Sequence, residues 1–252
     1  MSDHVTTTVD DGILTIRMNR PEKKNALTGE MYQAMADALN DAEKNPAVRA
    51  VVITGVKNSF TAGNDIEDFI NNPPDEKNSA VLNFLKAISE AKLPVVAAVN
   101  GTAIGIGVTM LLHCDFVYVA DSAVMAMPFV DLGLVPEAAA SLLLPKVAGL
   151  QRASELLMLG EPFTPAAAKE MGIATAVLPA EDVEKTALKT AKKLAAKPRD
   201  ALRQTKSLLR RDFESVSDRI AAEAKIFKQA LASDDAKEAL TAFREKRKPK
   251  FK

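Results

Sequence analysis

Four segments of the chain have the pattern of apolar and polar positions that is typical of β-strands. Residues 12–18 mix alternating apolar positions with β-branched residues, and Asn19-Arg20-Pro21 then ends the pattern. Three shorter runs, at residues 50–54, 95–99 and 116–120, are apolar almost throughout. Short runs of this kind are typical of strands that are buried on both faces of a parallel sheet. We therefore expect four strands, three of which are fully buried.

Apolar residues at helical spacing occur between these runs. Thr28 is a candidate N-cap, and the helix after it has an apolar face formed by Met31, Met35, Leu39 and Ala42. The apolar face predicted for a second helix consists of Val81, Leu82, Leu85 and Ile88. Strands that alternate with helices predict an α/β layered domain.

Helical patterns replace strand patterns beyond about residue 151. They occur at residues 153–159, 184–196 and 200–209. A later charged segment has an apolar stripe formed by Ile220, Ala224, Phe227 and Leu231. Such a stripe is covered either by the same chain or by a partner.

The composition is that of a globular protein with no preference for polyanions. The chain has 252 residues, 47% of them hydrophobic, which is enough for a large core. Lys plus Arg and Asp plus Glu each number 33, so no net charge favours nucleic acid or an anionic membrane. The single cysteine, Cys114, fits a reducing compartment and a place in the core. No apolar stretch approaches about 20 residues, so we expect a cytoplasmic protein that does not cross a membrane.

Two glycine-containing segments occur where strands are expected to pass into helices. They are Ser59-Phe60-Thr61-Ala62-Gly63-Asn64-Asp65 and Asn100-Gly101-Thr102-Ala103-Ile104-Gly105-Ile106-Gly107. Small residues at such a passage leave backbone N–H groups uncovered, so these groups can face a ligand. Two donors directed at one oxygen form an oxyanion hole, which stabilises an enolate or a tetrahedral oxyanion. From the spacing alone, ordinary turns, helix starts and tight packing explain the glycines equally well.

These glycines do not belong to a known nucleotide-binding motif. A dinucleotide-binding fingerprint that used Gly105 and Gly107 would need a third glycine where this chain has Met110. The chain also has no Gly-Lys-Ser/Thr sequence, which a Walker loop requires. Both nucleotide-binding loops are therefore excluded.

Several motifs that occur in order are more specific than any one of them. They are residues 59–66, residues 98–107 and His113-Cys114-Asp115-Phe116, and together they resemble the crotonase superfamily of enoyl-CoA hydratases and isomerases. Residues 19–27 resemble the early coenzyme A loop of this family, and residues 232–249 resemble its C-terminal end. The resemblance implies a crotonase-like α/β spiral of ββα units over residues 1–198, which would contain the coenzyme A and catalytic sites. It also implies a C-terminal helical part over residues 199–252 that builds homotrimers or dimers of trimers.

The resemblance further implies how an acyl-CoA thioester is bound. The oxyanion donors would be the backbone N–H groups of Asn64 and Ile106, whose side chains need not take part in the chemistry. The residues implied to bind substrate or coenzyme A are Lys24, Ala26, Ala62, Gly63, Asn64, Asp65, Ile66, Gly105, Ile106 and Phe129. Lys24 is otherwise an ordinary exposed loop residue, and Asp65 most simply caps the helix that opens at Ile66. Neither a metal nor a separate cofactor is implied, because coenzyme A is part of the substrate.

Hydratases of this family add water with two glutamates, and this chain has neither. The corresponding positions are Thr109 and Phe129, so efficient hydration is not expected. Glu137 instead resembles the single catalytic glutamate of peroxisomal-type Δ3,Δ2-enoyl-CoA isomerases. Its apolar neighbours would desolvate the carboxylate and raise its pKa toward the range of a working base. A glutamate that merely stabilises a helix N-terminus would explain the same Pro136-Glu137 pair.

The resemblance therefore predicts an isomerase that converts 3-enoyl-CoA to 2-enoyl-CoA in fatty acid degradation, with Glu137 as the single base. Three alternatives remain open at this point. The enzyme could isomerise the ring of an aromatic-derived CoA thioester, or it could be a weak enoyl-CoA hydratase. The chain could also be a non-catalytic CoA-binding assembly subunit, which would bind acyl-CoA without exchanging the C2 proton.

Overall fold

The strands form two sheets of different size. The computed structural model describes residues 3–56, 58–73, 79–211 and 214–251, and the strands in these ranges have the following bounds. They are β1 (Val5–Asp10), β2 (Ile13–Met18), β3 (Ala50–Thr54), β4 (Ser59–Thr61), β5 (Val95–Val99), β6 (Thr102–Ile104), β7 (Phe116–Ala120), β8 (Val124–Ala126) and β9 (Ala176–Leu178).

Most of the strand pairs are parallel. The larger sheet has the strand order β1-β2-β3-β5-β7-β9, in which β1 and β2 are antiparallel and the other pairs are parallel. The smaller sheet, with the order β4-β6-β8, is parallel throughout. Because parallel neighbours need crossover connections, the chain must leave and re-enter each sheet repeatedly. This topology brings the loops that follow β4 and β6 to the same edge of the smaller sheet.

The helices connect the strands and then form the C-terminal part. They are α1 (Gly29–Lys44), α2 (Ile66–Asn71), α3 (Ala80–Glu90), α4 (Ile106–Thr109), α5 (Ala140–Ala148), α6 (Leu150–Ser154), α7 (Pro165–Glu170), α8 (Ala180–Ala195), α9 (Arg199–Leu209), α10 (Val216–Leu231) and α11 (Asp234–Arg244). Short 3-10 turns occur at Pro21–Lys23, Met110–His113 and Val130–Leu132, and α6 continues into a wider π-helical turn at Glu155–Leu159.

The core lies between the larger sheet and the helices that pack on it. Every residue of β3 and of β5 is buried, as expected for strands that are covered on both faces. α8 lies against β3, β5 and β7, and its Val183, Ala187 and Ala191 are fully buried. These three small side chains are four residues apart and therefore form one stripe along the helix, which lets α8 approach the sheet closely.

The structure confirms the strongly patterned elements. α1 begins after Thr28, whose Oγ1 accepts a hydrogen bond from the N–H of Met31 at 3.4 Å. α2 begins at Ile66, and the Asp65 side chain caps it by accepting a hydrogen bond from the N–H of Asp68 at 3.1 Å. The four predicted strands correspond to β2, β3, β5 and β7.

Other elements differ from the sequence-based expectation. β1 was not predicted, because it is an edge strand whose residues after Val5 are exposed and mostly polar. β4, β6, β8 and β9 are three residues long, too short to show a period. In α3, Leu82 is 45% exposed, and Phe84, which the prediction left out, is buried. The helix predicted at residues 153–159 is the end of α6 followed by the π-helical turn.

The apolar stripe on α10 is not covered within the protomer. The side chains of Ile220, Phe227 and Leu231 are 60%, 69% and 52% exposed. Assembly into trimers therefore stays a prediction from the sequence. No helix in the described part of the chain has both the length and the hydropathy that crossing a bilayer requires.

Candidate active site

The two glycine-containing loops lie side by side because β4 and β6 are parallel neighbours. Ser59 pairs with Thr102, and Thr61 pairs with Ala103. Beyond the strands the backbones stay close: a Cβ atom on Gly63 would lie 3.1 Å from the carbonyl oxygen of Ile104. Gly63 also has a φ of +93°, which favours glycine at this position. The structure thus brings together two loops that are about 40 residues apart in the sequence.

Each loop presents a backbone N–H group without an internal acceptor. Ile106 is the first residue of α4, so its N–H has no partner inside the helix, whereas the N–H groups of Val108 and Thr109 bond to the carbonyl of Gly105. Asn64 lies between β4 and α2, and within the described residues no acceptor meets its N–H or that of Ile106. These are the two donors that the sequence predicts for the oxyanion hole.

Glu137 lies close to the second loop, as its contact with Thr109, the last residue of α4, shows. The Thr109 hydroxyl donates a hydrogen bond to Oε1 of Glu137. Burial raises the pKa of Glu137 to about 7, and the hydrogen bond from Thr109 opposes part of this effect because it stabilises the ionised form. Within the described residues, no second carboxylate contributes to this pKa. The raised pKa agrees with the prediction, but the apolar sequence neighbours Val130, Leu134 and Val135 are 50%, 43% and 78% exposed, so they are not the residues that bury the carboxyl group.

The turn after Glu137 has a strained backbone that a histidine supports. Ala138 and Ala139 have φ angles of +53° and +55°, which are unfavourable for residues with a Cβ. The ring of His113, a buried residue, lies with Nε2 2.8 Å from the carbonyl oxygen of Ala138. Burial lowers the pKa of His113, so the ring is neutral at pH 7 and donates this hydrogen bond from Nε2. His113 therefore helps to hold the segment that carries Glu137.

Ion pairs connect this region to α9 and to Arg210, which follows it. Nζ of Lys206 lies 2.7 Å from Oδ2 of Asp115 and donates a second bond of 2.7 Å to the carbonyl of Leu93. Arg210 donates to the carbonyl of His113 and lies 3.0 Å from the other carboxylate oxygen of Asp115. Burial also raises the pKa of the neighbouring Cys114 thiol to about 12, so this thiol stays protonated and unreactive.

The residues implied for coenzyme A binding come together on two connected loops. The carbonyl of Lys24 accepts bonds from the N–H of Ala62 at 2.9 Å and from the Ser59 hydroxyl at 2.7 Å. Arg20 joins the carbonyl of Ala26, at 3.1 Å, to the Asp65 carboxylate, at 2.6 Å. Arg20 and the α2 backbone together lower the pKa of Asp65, so this carboxylate is ionised and occupied with structural contacts.

The other implied binding residues differ in their exposure. Lys24 and Ile66 are exposed, Ile66 by 56%, so both are available to a ligand at the surface. Gly105 is partly buried beside the free N–H of Ile106. Phe129 is only 7% exposed and packs in the hydrophobic core. Asp131 is exposed.

Two polar residues in this region were not singled out from the sequence. Asn25 is completely buried, and its Nδ2 donates to the carbonyl of Ser59 at 2.7 Å, which fixes the coenzyme A loop on β4. Tyr32 is 2% exposed, and its hydroxyl donates to Oδ1 of Asn64. Tyr32 follows Met31, which belongs to the predicted apolar face of α1. The sequence pattern therefore indicates only that Tyr32 is a core residue. Within the described ranges, no group of three or more His, Cys, Asp or Glu side chains could bind a metal ion.

The fold agrees with comparisons to known proteins. Residues 8–252 match the family model for enoyl-CoA hydratase/isomerase. The chain is 33% identical to the mitochondrial enoyl-CoA hydratase of Pongo abelii, over 94% of this chain and 82% of that protein. It is 35% identical to enoyl-CoA delta isomerase 2 of Homo sapiens, over 94% of this chain and 62% of that protein.

A solved structure extends the agreement to the whole fold. It comes from Magnetospirillum magneticum AMB-1 and is provisionally named an enoyl-CoA hydratase/carnithine racemase. The TM-score is 0.96 at 46% identity, over 99% of this chain and 98% of that chain. This likeness confirms the α/β crotonase fold that the sequence motifs predict. The chain therefore belongs to the enoyl-CoA hydratase/isomerase family of the crotonase superfamily.

Proposed function

We propose that this protein is a Δ3,Δ2-enoyl-CoA isomerase of fatty acid degradation in which Glu137 is the only acid–base group. The observation that supports this most strongly is a partly buried carboxyl with a pKa of about 7, one oxygen of which accepts a hydrogen bond from Thr109. A general base is most effective when its pKa lies near the working pH. At pH 7 about half of the Glu137 side chains are ionised and ready to remove a proton.

In the first half of the reaction, Glu137 removes a proton from C2 of a 3-enoyl thioester. The oxygen that Thr109 leaves free takes the proton. The C2–H electron pair forms a C1=C2 double bond, and the carbonyl π electrons move onto the thioester oxygen, which gives a dienolate. The N–H groups of Asn64 and Ile106 donate hydrogen bonds to this oxygen. Removing one such donor typically lowers kcat by about 10²–10³.

In the second half, the protonated Glu137 returns the proton at C4. The oxygen electrons re-form the carbonyl group, the C1=C2 pair moves to C2=C3, and the C3=C4 pair takes the proton. The proton lost at C2 equals the proton gained at C4, so the reaction needs neither water nor a redox cofactor. One base that can reach both carbons on the same face of the substrate is sufficient.

The site supports isomerisation better than hydration. Addition of water requires one group to activate the water and another to protonate the adjacent carbon. Thr109 occupies one of the two positions where hydratases of this family have a glutamate, and its hydroxyl is bonded to Glu137. Phe129 occupies the other position and is buried in the core. Glu137 is thus left without the second carboxylate that hydration needs.

Coenzyme A is assigned to the two connected loops that contain Lys24, Ala26, Ala62 and Ile66. Lys24 is exposed at the surface of the first loop, where its ammonium group can meet a phosphate. Arg20 is not used for this purpose, since it is bonded to Asp65 and to the carbonyl of Ala26. The thioester then extends toward Gly63 and Gly105, which allow the backbone to approach it closely.

The test is a substrate panel in D₂O with products followed by mass. The pure protein is incubated separately with 3-hexenoyl-CoA, crotonyl-CoA and phenylacetyl-derived CoA thioesters. We expect isomerisation of 3-hexenoyl-CoA at a rate at least about 100 times that of crotonyl-CoA hydration, because a missing acid–base group costs about 10²–10⁴. Fast hydration would overturn the proposal. Turnover of the aromatic thioesters alone would favour ring isomerisation, and acyl-CoA binding without C2 deuteration would favour a non-catalytic subunit.

A further inference from the structure

Tyr32 connects α1 to the loop that carries the proposed oxyanion donor. Its side chain is 2% exposed, and its ring packs against Phe84 with a centroid distance of 5.6 Å and an interplanar angle of 53°. Its hydroxyl donates a hydrogen bond to Oδ1 of Asn64. A phenol at this depth needs a partner, because an unpaired buried hydroxyl destabilises the fold. Asn64 is that partner.

The backbone on both sides of Asn64 is also held. The N–H of Leu27 donates to the carbonyl of Gly63 at 2.8 Å, and the N–H of Asp65 donates to the carbonyl of Leu27 at 2.8 Å. The peptide between Gly63 and Asn64 is trans, so its C=O and N–H point in opposite directions. Because the C=O points toward Leu27, the N–H of Asn64 points away from it. The side-chain bond to Tyr32 then limits rotation of Asn64 about its own backbone.

The Tyr32 phenol stays neutral and can therefore always donate its hydrogen bond. Burial, and secondarily the charge of Glu137, raise the pKa of the Tyr32 phenol well above its ordinary value. The phenol therefore keeps its proton throughout the pH range in which Glu137 titrates.

We propose that Tyr32 is a positioning residue, which acts through the Asn64 side chain to hold the Asn64 N–H in the orientation that receives the thioester oxygen. The inference rests on the proposed function, in which that N–H is an oxyanion donor. It assigns the Asn64 side chain a role that the sequence alone did not indicate. The phenol does not touch the reacting atoms, so its effect is expected on kcat rather than on acyl-CoA affinity.

The first test is Tyr32→Phe, which keeps the ring and removes the hydroxyl. We expect kcat for 3-hexenoyl-CoA to fall about 10–100-fold, because a displacement of about 1 Å at a catalytic group costs about 100-fold. The Kd for hexanoyl-CoA should change less than about threefold. The matched control is Phe84→Leu, which disturbs the same packing without removing the hydrogen bond. It should lower the unfolding temperature and leave kcat within about threefold of the wild type.

A double-mutant cycle with Asn64→Ala tests whether the two side chains act as one unit. Asn64→Ala keeps the backbone N–H but removes Oδ1, which accepts the hydrogen bond from Tyr32. It therefore breaks the same hydrogen bond as Tyr32→Phe. If Tyr32 acts through Asn64, the double variant should lose about as much kcat as either single variant. Losses that multiply would overturn the inference, because they would show two independent roles.

The vibrational frequency of a bound thioester separates this inference from the proposed function. Hexanoyl-CoA labelled with ¹³C at the carbonyl should show a lowered C=O stretching frequency on the wild-type protein, because two N–H donors polarise the bond. Tyr32→Phe should reduce this lowering, which a role in stability alone would not do. A lowered frequency that Tyr32→Phe leaves unchanged would overturn the role of Tyr32 alone. An unshifted frequency on the wild type would overturn the oxyanion hole and the inference together.

Discussion

The hydroxyl of Thr109 donates a hydrogen bond to the carboxylate of Glu137. This contact joins α4, whose first N–H group is one of the two proposed oxyanion donors, to the candidate base. Ile106 and Thr109 are the first and last residues of α4, so a single helical turn separates the free N–H from the group that holds Glu137. At this position a hydratase of the family has a glutamate. Here the residue at the same position is hydrogen-bonded to Glu137. The predictions below follow from this relationship and from the packing around it.

Replacement of Glu137 by Gln should remove the base and keep its shape. We expect kcat for 3-hexenoyl-CoA to fall by about 10²–10⁴, with the Kd for hexanoyl-CoA little changed. Steady-state kinetics and titration measure the two quantities. The matched control is Asp131→Asn. Asp131 is an exposed carboxylate a short way before Glu137 in the chain, so the kcat of this variant should stay within about twofold of the wild-type value. Near-normal turnover by Glu137→Gln would refute the mechanism.

The pH profile should report the environment of Glu137. Because the ionised form is the base and its pKa is about 7, kcat of the wild type should rise with pH through about 7. Thr109→Val removes a hydrogen bond that favours the ionised form, so the apparent pKa should move upward and kcat at pH 7 should fall. Thr109→Ser keeps the hydroxyl and should keep the wild-type profile. A downward shift in Thr109→Val would contradict the direction assigned to this hydrogen bond.

Ionisation of Glu137 should destabilise the folded protein, because its carboxylate is removed from water. The pKa of Glu137 is raised in the folded state from 4.5 to about 7, so the folded protein retains a proton that the unfolded chain releases. Stability due to this group is therefore complete below about pH 4.5 and decreases as the pH rises through about 7. Glu137→Gln stays neutral and should be more stable than the wild type at pH 8 by up to about 3 kcal/mol. Urea unfolding at pH 4.5 and pH 8 measures this difference, and equal stabilities at pH 8 would argue against burial of the charge.

Side chains added to the glycines of the two loops should block the site. Gly63→Val is expected to abolish turnover, because φ is +93° and the new Cβ would lie 3.1 Å from the carbonyl oxygen of Ile104. Gly105→Val should do the same through its φ of +56°, although space around its Cβ is open. Gly29→Ala is the control, since its Cβ would meet only Asp68, at 3.7 Å. The test is to measure turnover by variants that circular dichroism shows to be folded. An active Gly63→Val variant would exclude a close approach of the thioester to the backbone at Gly63.

The exposed stripe on α10 should mediate assembly. We expect this face to be covered in the trimer or pair of trimers that the family resemblance implies, because Ile220, Phe227 and Leu231 are left in water in the protomer. Changing Ile220 and Phe227 to Ser, which leaves the helix in place, should lower the mass measured by light scattering. Removal of the chain after Arg211 should lower both the mass and the affinity for acyl-CoA. An unchanged mass in the Ser variant would show that other contacts assemble the protein.

The sequence by itself was sufficient for the strongly periodic elements and for the family. The buried strands β3, β5 and β7 and the capped helix α1 follow from local patterns, because burial on both faces and a polar N-cap leave direct traces in the order of residues. The motifs around Gly63 and Gly105 likewise pointed to free backbone donors and to the family. Glu137 could be selected as the candidate base because its position resembles that of the single catalytic glutamate in isomerases of the family, and its apolar neighbours in the sequence favoured this interpretation.

Only the tertiary structure decided which of these groups meet. Thr109 and Glu137 are 28 residues apart, and Tyr32 and Asn64 are 32 apart, so no local pattern relates them. The first contact joins the segments that follow the parallel neighbours β6 and β8, and the second joins α1 to the loop after β4. The pKa of Glu137 is equally a tertiary property, since desolvation comes from everything that packs around the carboxyl group, near or far along the chain. The sequence thus determined which chemical groups are available, and packing between distant segments determined their orientation and ionisation.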